Sequence, residues 1–130
     1  MLERFVKAQD KTYAAALAEL RAGEKRGHWI WWVFPQMRGL GTSENSVFYG
    51  IEDVMEARAY LQHPVLGARY RECVSVVHGH LCQAGVAPLK LMGSDVDVIK
   101  LRSSLQLFLK VATKSDTIFR SQASEILRLL

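Results

Sequence analysis

Between Val65 and Ala84 the apolar residues Leu66, Tyr70, Cys73, Val74, Val77 and Leu81 recur at the helical period, and Gly85 closes the run. Such spacing puts them on one face of an amphipathic helix, and that face must be covered by other elements. The period returns at Val98, Leu101, Leu105, Phe108, Leu109 and Ala112, after Gly93 and a capping residue at Ser94 or Asp95. There Asp95 and Asp97 sit where a helix dipole favours carboxylates. Ser115 or Asp116 opens a last helix, on which Phe119, Ala123, Ile126, Leu127 and Leu130 align.

The N-terminal part reads the same way. Leu2, Phe5 and Val6 share a face of a short helix ending near Gln9, and Asp10 reads as the N-cap of a second. Tyr13, Leu17 and Leu20 form that second stripe, with Gly23 as its C-cap. From Glu52 to His63 another helix carries Ile51, Val54, Met55, Arg58 and Leu61 along one side, and Pro64 ends it or opens the next. The expected fold is all-α: one compact domain over residues 1–130, built from six or seven helices.

Composition agrees. The chain is 49% hydrophobic and 23% charged, enough apolar surface for a core and too little charge for disorder. No apolar run reaches the roughly 18 residues of a membrane-spanning helix. MLERFVKAQDK carries Glu3 and no continuous apolar segment, unlike a signal peptide, so a cytoplasmic location is expected. Cys73 and Cys82 fall nine positions apart on one helix, about 13 Å along the axis. That is beyond disulfide reach, so both thiols should be reduced. The net charge of +4 is compatible with an anionic partner. Nucleic acid is disfavoured, because the basic residues form no dense stripe.

The unusual stretch is Lys25 to Ile51, KRGHWIWWVFPQMRGLGTSENSVFYGI, which holds all three tryptophans. His28 to Phe34 is too uniformly apolar for periodicity to separate helix from strand, but no partner strand exists, so a short buried helix closed by Pro35 is expected. Trp29 and Trp32 would share a face and Trp31 would project elsewhere. The segment can be a core pillar, or one ring can wall a pocket for a planar ligand. Lys25, Arg26, His28 and Arg38 flank the rings, and positive charge beside aromatic faces suits planar anions such as nucleotides. From Gly39 the chain reads as a long loop. Gly39, Gly41, Thr42, Ser43, Asn45 and Ser46 can expose backbone N–H groups to an anion, or can simply turn. Gln36 and Tyr49 are polar groups in apolar settings. Ser103 and Ser104 interrupt a strong helix, where they either bond back to the preceding turn or, with Lys100 and Arg102, line a polar pocket.

No Gly-rich phosphate loop, HExxH, CxxC or GxSxG motif occurs, and His78 and His80 point away from each other on a helix. No metal site is expected, and no cofactor class is indicated.

The segments LERFVKAQ, YAAALAELRAGEKRGHWIWWVFPQMRGLGTSENSVFYGI, EARAYLQHPVLGARYREC and KLRSSLQLF together resemble the bacterial family called domain of unknown function 1810, some members of which have been labelled calpastatin-like. The resemblance spans nearly the whole chain. It implies a compact, mainly helical bacterial domain and supplies no activity. It marks Lys25, His28, Trp29, Trp32, Phe34, Pro35, Gln36, Gly39, Gly41, Ser43, Tyr49, Gly50, Lys100, Arg102 and Ser103. Two departures stand out: MGSDVDVIK lacks the proline expected after Gly-Ser, and no glycine-rich acidic tail follows Leu130.

Three functional classes fit these observations. One is a small-molecule binding domain for an anionic planar ligand, held by Lys25, Trp29, Trp32, Gln36, Arg38, Gly39, Gly41, Ser43, Tyr49, Lys100, Arg102 and Ser103. An enzyme acting on such a ligand would use His28 or Tyr49 as acid or base. The third class is a protein-interaction or structural module that docks through the loop and tryptophans.

Overall fold

The computed structural model describes all 130 residues and contains eight α-helices and no strand. They are α1 (Glu3–Arg21), α2 (Ile30–Val33), α3 (Glu44–Phe48), α4 (Val54–Gln62), α5 (Leu66–His78), α6 (Pro88–Met92), α7 (Asp95–Val111) and α8 (Thr117–Leu127). A π-helical turn, Gly79–Gln83, extends α5. Helix α5 packs against α1, α4 and α8, while α7 packs against α4, α6 and α8. No helix is long and apolar enough to cross a membrane.

An aromatic cluster forms the centre. Tyr70 of α5 lies 4.5 Å from Phe108 of α7, 5.8 Å from Phe34 and 5.8 Å from Phe119 of α8, centroid to centroid. Tyr60 of α4 joins it at 5.1 Å from Phe108 and 5.1 Å from Phe5 of α1. Each fully buried side chain of this size contributes about 1.5–3 kcal/mol of hydrophobic stabilisation. The buried Tyr70 hydroxyl is paired with Ser104 Oγ at 2.8 Å. Of the two mid-helix serines, Ser104 therefore completes the core, while Ser103 stays half-exposed without a side-chain hydrogen bond.

Several local expectations are corrected. The first two helices are one: Asp10 lies in the middle of α1, faces solvent and meets Arg69 at 3.2 Å instead of capping. An unbroken Phe5, Gln9, Ala16, Leu17, Leu20 face carries the helix straight through. The presumed loop after Gly39 contains α3, whose five residues are too few to show a period. The connection through Pro88 is the helical turn α6, with Pro88 in its first turn. Asp116 holds the N-cap position of α8 as expected, but its carboxylate accepts two hydrogen bonds from Arg71 (3.1 and 2.8 Å) and makes no capping bond.

Other boundaries follow the expected chemistry. Gly23 ends α1 with φ +81°, and Gly93 ends α6 with φ +85°. Ser94 Oγ then caps α7 by accepting the Asp97 N–H at 3.2 Å. Both cysteines are free. Burial pushes the Cys73 thiol up to about 12, which leaves it unreactive.

Candidate functional site

The segment after α1 is anchored by charge. Glu19 Oε1 accepts the N–H groups of Arg26 (2.8 Å) and Gly27 (2.8 Å) and the Trp29 indole N–H (2.9 Å). Burial works against the Glu19 charge, yet these donors hold its pKa below the ordinary carboxylate range. Lys25, almost fully buried, donates to Asp97 at 2.7 Å and to the Gly27 carbonyl at 2.5 Å, and its amine lies 4.8 Å above the Trp29 ring. Lys25 and Trp29 thus fasten the segment to α1 and α7, and their polar groups are taken.

The depressed Glu19 pKa has a testable sign. A carboxylate with a lowered folded-state pKa contributes stability above its unfolded value, and that stability is lost as pH falls through the folded value. Glu19→Gln should lower the melting temperature at pH 7 by an amount that shrinks between about pH 6 and about pH 3. Melting curves across that range check it, and a pH-independent difference would count against the charge.

Beyond Trp29, the single turn α2 buries Ile30 and Val33 and sends Trp31 and Trp32 into two different clefts. The two indoles stay in contact, 6.1 Å apart. Trp32 donates its indole N–H to Thr12 Oγ1 of α1 at 2.8 Å. Its carbonyl accepts from Gln9 Nε2 (2.7 Å) and the Tyr60 hydroxyl (3.2 Å). Trp31 differs, because its enclosed indole N–H has no acceptor.

The chain then folds back. Arg38 N–H donates to the Ile51 carbonyl (2.8 Å) and Ile51 N–H to the Gln36 carbonyl (2.9 Å), which pins the two ends of the loop together. Within it Ser43 Oγ accepts the Ser46 N–H at 3.1 Å and caps α3. Gly41 lies so close that an added methyl group would fall 2.5 Å from Ser46 Oγ. Gly39, at φ +100°, makes the turn. These Gly and Ser residues are engaged in closing the loop.

Closure delivers Tyr49 to α1. Arg4 of α1 donates to the carbonyls on both sides of Tyr49, Phe48 at 2.9 Å and Gly50 at 3.0 Å. The guanidinium is held by Glu56 at 2.8 and 3.1 Å. Tyr49 comes to rest 5.0 Å from the Trp32 ring and 4.8 Å from Phe48.

Two clefts result. The first, about 520 Å³, lies between α1 and the Trp32–Phe48–Tyr49 surface, and Glu3, Arg4, Lys7, Ala8, Lys11 and Thr12 line its α1 side. Lys7 and Lys11, one turn apart and exposed, make no ion pair, and the Tyr49 hydroxyl makes no hydrogen bond. The second, about 320 Å³, contains Lys25, Arg26, His28, Trp31, Asp97 and Lys100 among its walls, with the Lys100 amine 4.7 Å above the Trp31 ring.

The expected site residues are thus divided. Trp32 and Tyr49 share the first cleft, while Lys25, His28 and Lys100 share the second. Arg38 lies on the outer side of Phe48 and donates to the Val47 carbonyl at 3.0 Å. Trp29 is in the core. Gln36, Gly39, Gly41, Ser43, Arg102 and Ser103 line neither cleft. His28 and Tyr49 face different clefts, so no acid–base pair is assembled between them. Arg4, Lys7, Lys11 and Thr12 were not singled out from sequence, where they are ordinary residues on the polar side of an amphipathic helix. No three His, Cys, Asp or Glu side chains converge as a metal site requires.

A family model described as a protein of unknown function, DUF1810, matches residues 1–127. The chain belongs to the DUF1810 family. Its fold is shared by the crystal structure of the conserved hypothetical protein Rv1873 from Mycobacterium tuberculosis, which is 43% identical. That alignment covers 98% of this chain and 84% of the other with a TM-score of 0.86. No curated protein matches the chain. Membership of DUF1810 accounts for the fold and supplies no activity.

Proposed function

We propose that this DUF1810 domain binds a small anionic ligand with a planar group, most simply a nucleotide, in the cleft between α1 and the Trp32–Tyr49 pair. The observation that carries the reading is the meeting of unpaired cations with accessible rings. Lys7 and Lys11 have no carboxylate partner, and Trp32 and Tyr49 form the opposite wall. Ammonium groups one helical turn apart can share a phosphate, and a base can lie against the rings. Thr12 and the Tyr49 hydroxyl are placed to orient polar groups of the ligand. The reading sets the domain in the cytoplasm, where two unpaired thiols are stable.

The test is thermal unfolding by circular dichroism with adenosine and guanosine monophosphates, a sugar phosphate and inorganic polyphosphate. A ligand at 100 times its Kd stabilises the fold by about 2.7 kcal/mol. Lys7→Ala/Lys11→Ala should abolish the shift while leaving the unliganded melting temperature within about 1 °C, because exposed unpaired lysines contribute little to stability. Nucleotides that give no shift, or one that survives the double substitution, would overturn the proposal.

One observation favours a docking module instead. Val47, Phe48 and Met55 are exposed on the adjoining surface, beside a trough of about 720 Å³ between the N-terminal part of α1 and the length of α4. Exposed apolar clusters of this kind mark protein contacts.

A further inference from the structure

We infer that the binding surface does not stop at Trp32 but continues across Trp31 into the second cleft, so that it takes two nucleotides joined through phosphate. This rests on the reading of the first cleft given above.

Three observations point there. The first is the aromatic run itself. Rings follow one another from Phe48 to Tyr49 (4.8 Å), Trp32 (5.0 Å) and Trp31 (6.1 Å), and the last two, neighbours in the chain, line the first and the second cleft respectively. Sequence-tolerant binding of single strands and of linked nucleotides uses such stacking surfaces beside cations.

The second is charge. Lys7 and Lys11 lie at one end and Lys100 at the other, with His28 and the Glu24-paired Arg26 beside it. These residues come from α1, from the segment before α2 and from α7, which is why no stripe is visible along the sequence. The carboxylates nearby are already engaged. Asp97 is neutralised by Lys25, Arg26 pairs with Glu24 beyond the rim, and Glu3 pairs with the N-terminal amine. Lys100 pairs with no carboxylate. Its amine rests on Trp31, and its flexible stem can give up the ring face to a base and meet the attached phosphate.

The third is the Trp31 indole N–H. Those of Trp29 and Trp32 have acceptors in Glu19 and Thr12, but that of Trp31 has none. An unsatisfied buried donor is uncommon and costly, and a turn of the Trp31 ring, which lines the second cleft, would let a ligand oxygen satisfy it.

The experiment compares three probes by isothermal titration calorimetry: adenosine monophosphate, a 3′,5′-linked diadenylate, and two adenosines joined by a 5′,5′-diphosphate. At least one linked probe should bind tenfold or more tightly than the monophosphate, with an advantage that falls as salt is raised. Lys100→Ala should remove that advantage and leave the monophosphate affinity unchanged. Trp31→Phe provides a second variant that keeps a ring but deletes the N–H, and it should reduce the advantage in part. Preference for the 3′,5′ linkage would identify a nucleic-acid strand as the source, and preference for the diphosphate a dinucleotide. Equal affinity for one and two nucleotides, or an advantage untouched by Lys100→Ala, would overturn the inference while leaving the first cleft standing. Failure of all three probes to bind would overturn both.

Discussion

Glu56→Ala should destabilise the domain by about 3–5 kcal/mol, the usual cost of removing one member of a buried ion pair. The Glu56 side chain is 3% exposed and that of its partner Arg4 14%, so water cannot take over for the lost carboxylate. Glu56 also accepts the Glu52 N–H at 2.9 Å, and that donor is orphaned as well. Arg4 would keep only the carbonyls on either side of Tyr49 as partners for its charge. Urea unfolding monitored by circular dichroism measures the loss. Glu56→Gln, which keeps the shape and part of the hydrogen bonding, should cost less. A loss below about 1 kcal/mol for the alanine variant would mean that Arg4 relaxes into solvent and that the pair behaves as a surface bridge. The same variant should weaken the nucleotide binding proposed for the first cleft, because the pair fixes the turn that presents Tyr49.

Gly67→Ala should also destabilise the fold, by about 3 kcal/mol or more. Helix propensity alone argues the opposite, since alanine is favoured over glycine inside a helix by about 1 kcal/mol. Packing decides the sign. Gly67 lies in the first turn of α5, where a methyl group would fall 2.1 Å from the Leu61 carbonyl oxygen of α4. That oxygen is backbone, already bonded to Arg71 at 3.2 Å, and cannot move without parting α4 from α5. Gly79→Ala is the matched control. Its nearest neighbour would be Gln83 Oε1 at 3.7 Å, so propensity should prevail and the change should be neutral or stabilising. Thermal melts of both variants test the comparison. Equal effects at the two positions would refute it.

What could be read in advance follows the length scale of each signal. Helices α5, α7 and α8 repeat their apolar period over several turns, so their faces and most of their ends could be read from residues alone. Asp10 misled because a good capping residue in mid-helix looks like a start, and only the burial of Gln9 on the continuing face shows otherwise. Single turns such as α3 and α6 carry no period at all. At the site, Trp32, Tyr49 and Lys100 stood out by residue type and placement. Lys25 and Trp29 stood out equally, yet their polar atoms serve Asp97, far along the chain, and Glu19 of the preceding helix. Lys7 and Lys11 gain meaning only once the loop ending at Ile51 folds back onto α1 through Arg4. That closure is tertiary, and no local pattern encodes it.

The divergence of Trp29, Trp31 and Trp32 has an optical consequence. One indole is sealed in the core between Glu19 and the Lys25 ammonium, one lies beneath Lys100 at the second cleft, and one leans on Thr12 at the edge of the first. Their emission should therefore differ in wavelength and in access to quenchers. Iodide should reach Trp32 and spare Trp29. Occupation of either cleft should perturb its own indole, and unfolding should redden all three. Within four consecutive residues the chain holds separate intrinsic reporters for its interior and for each of its two clefts.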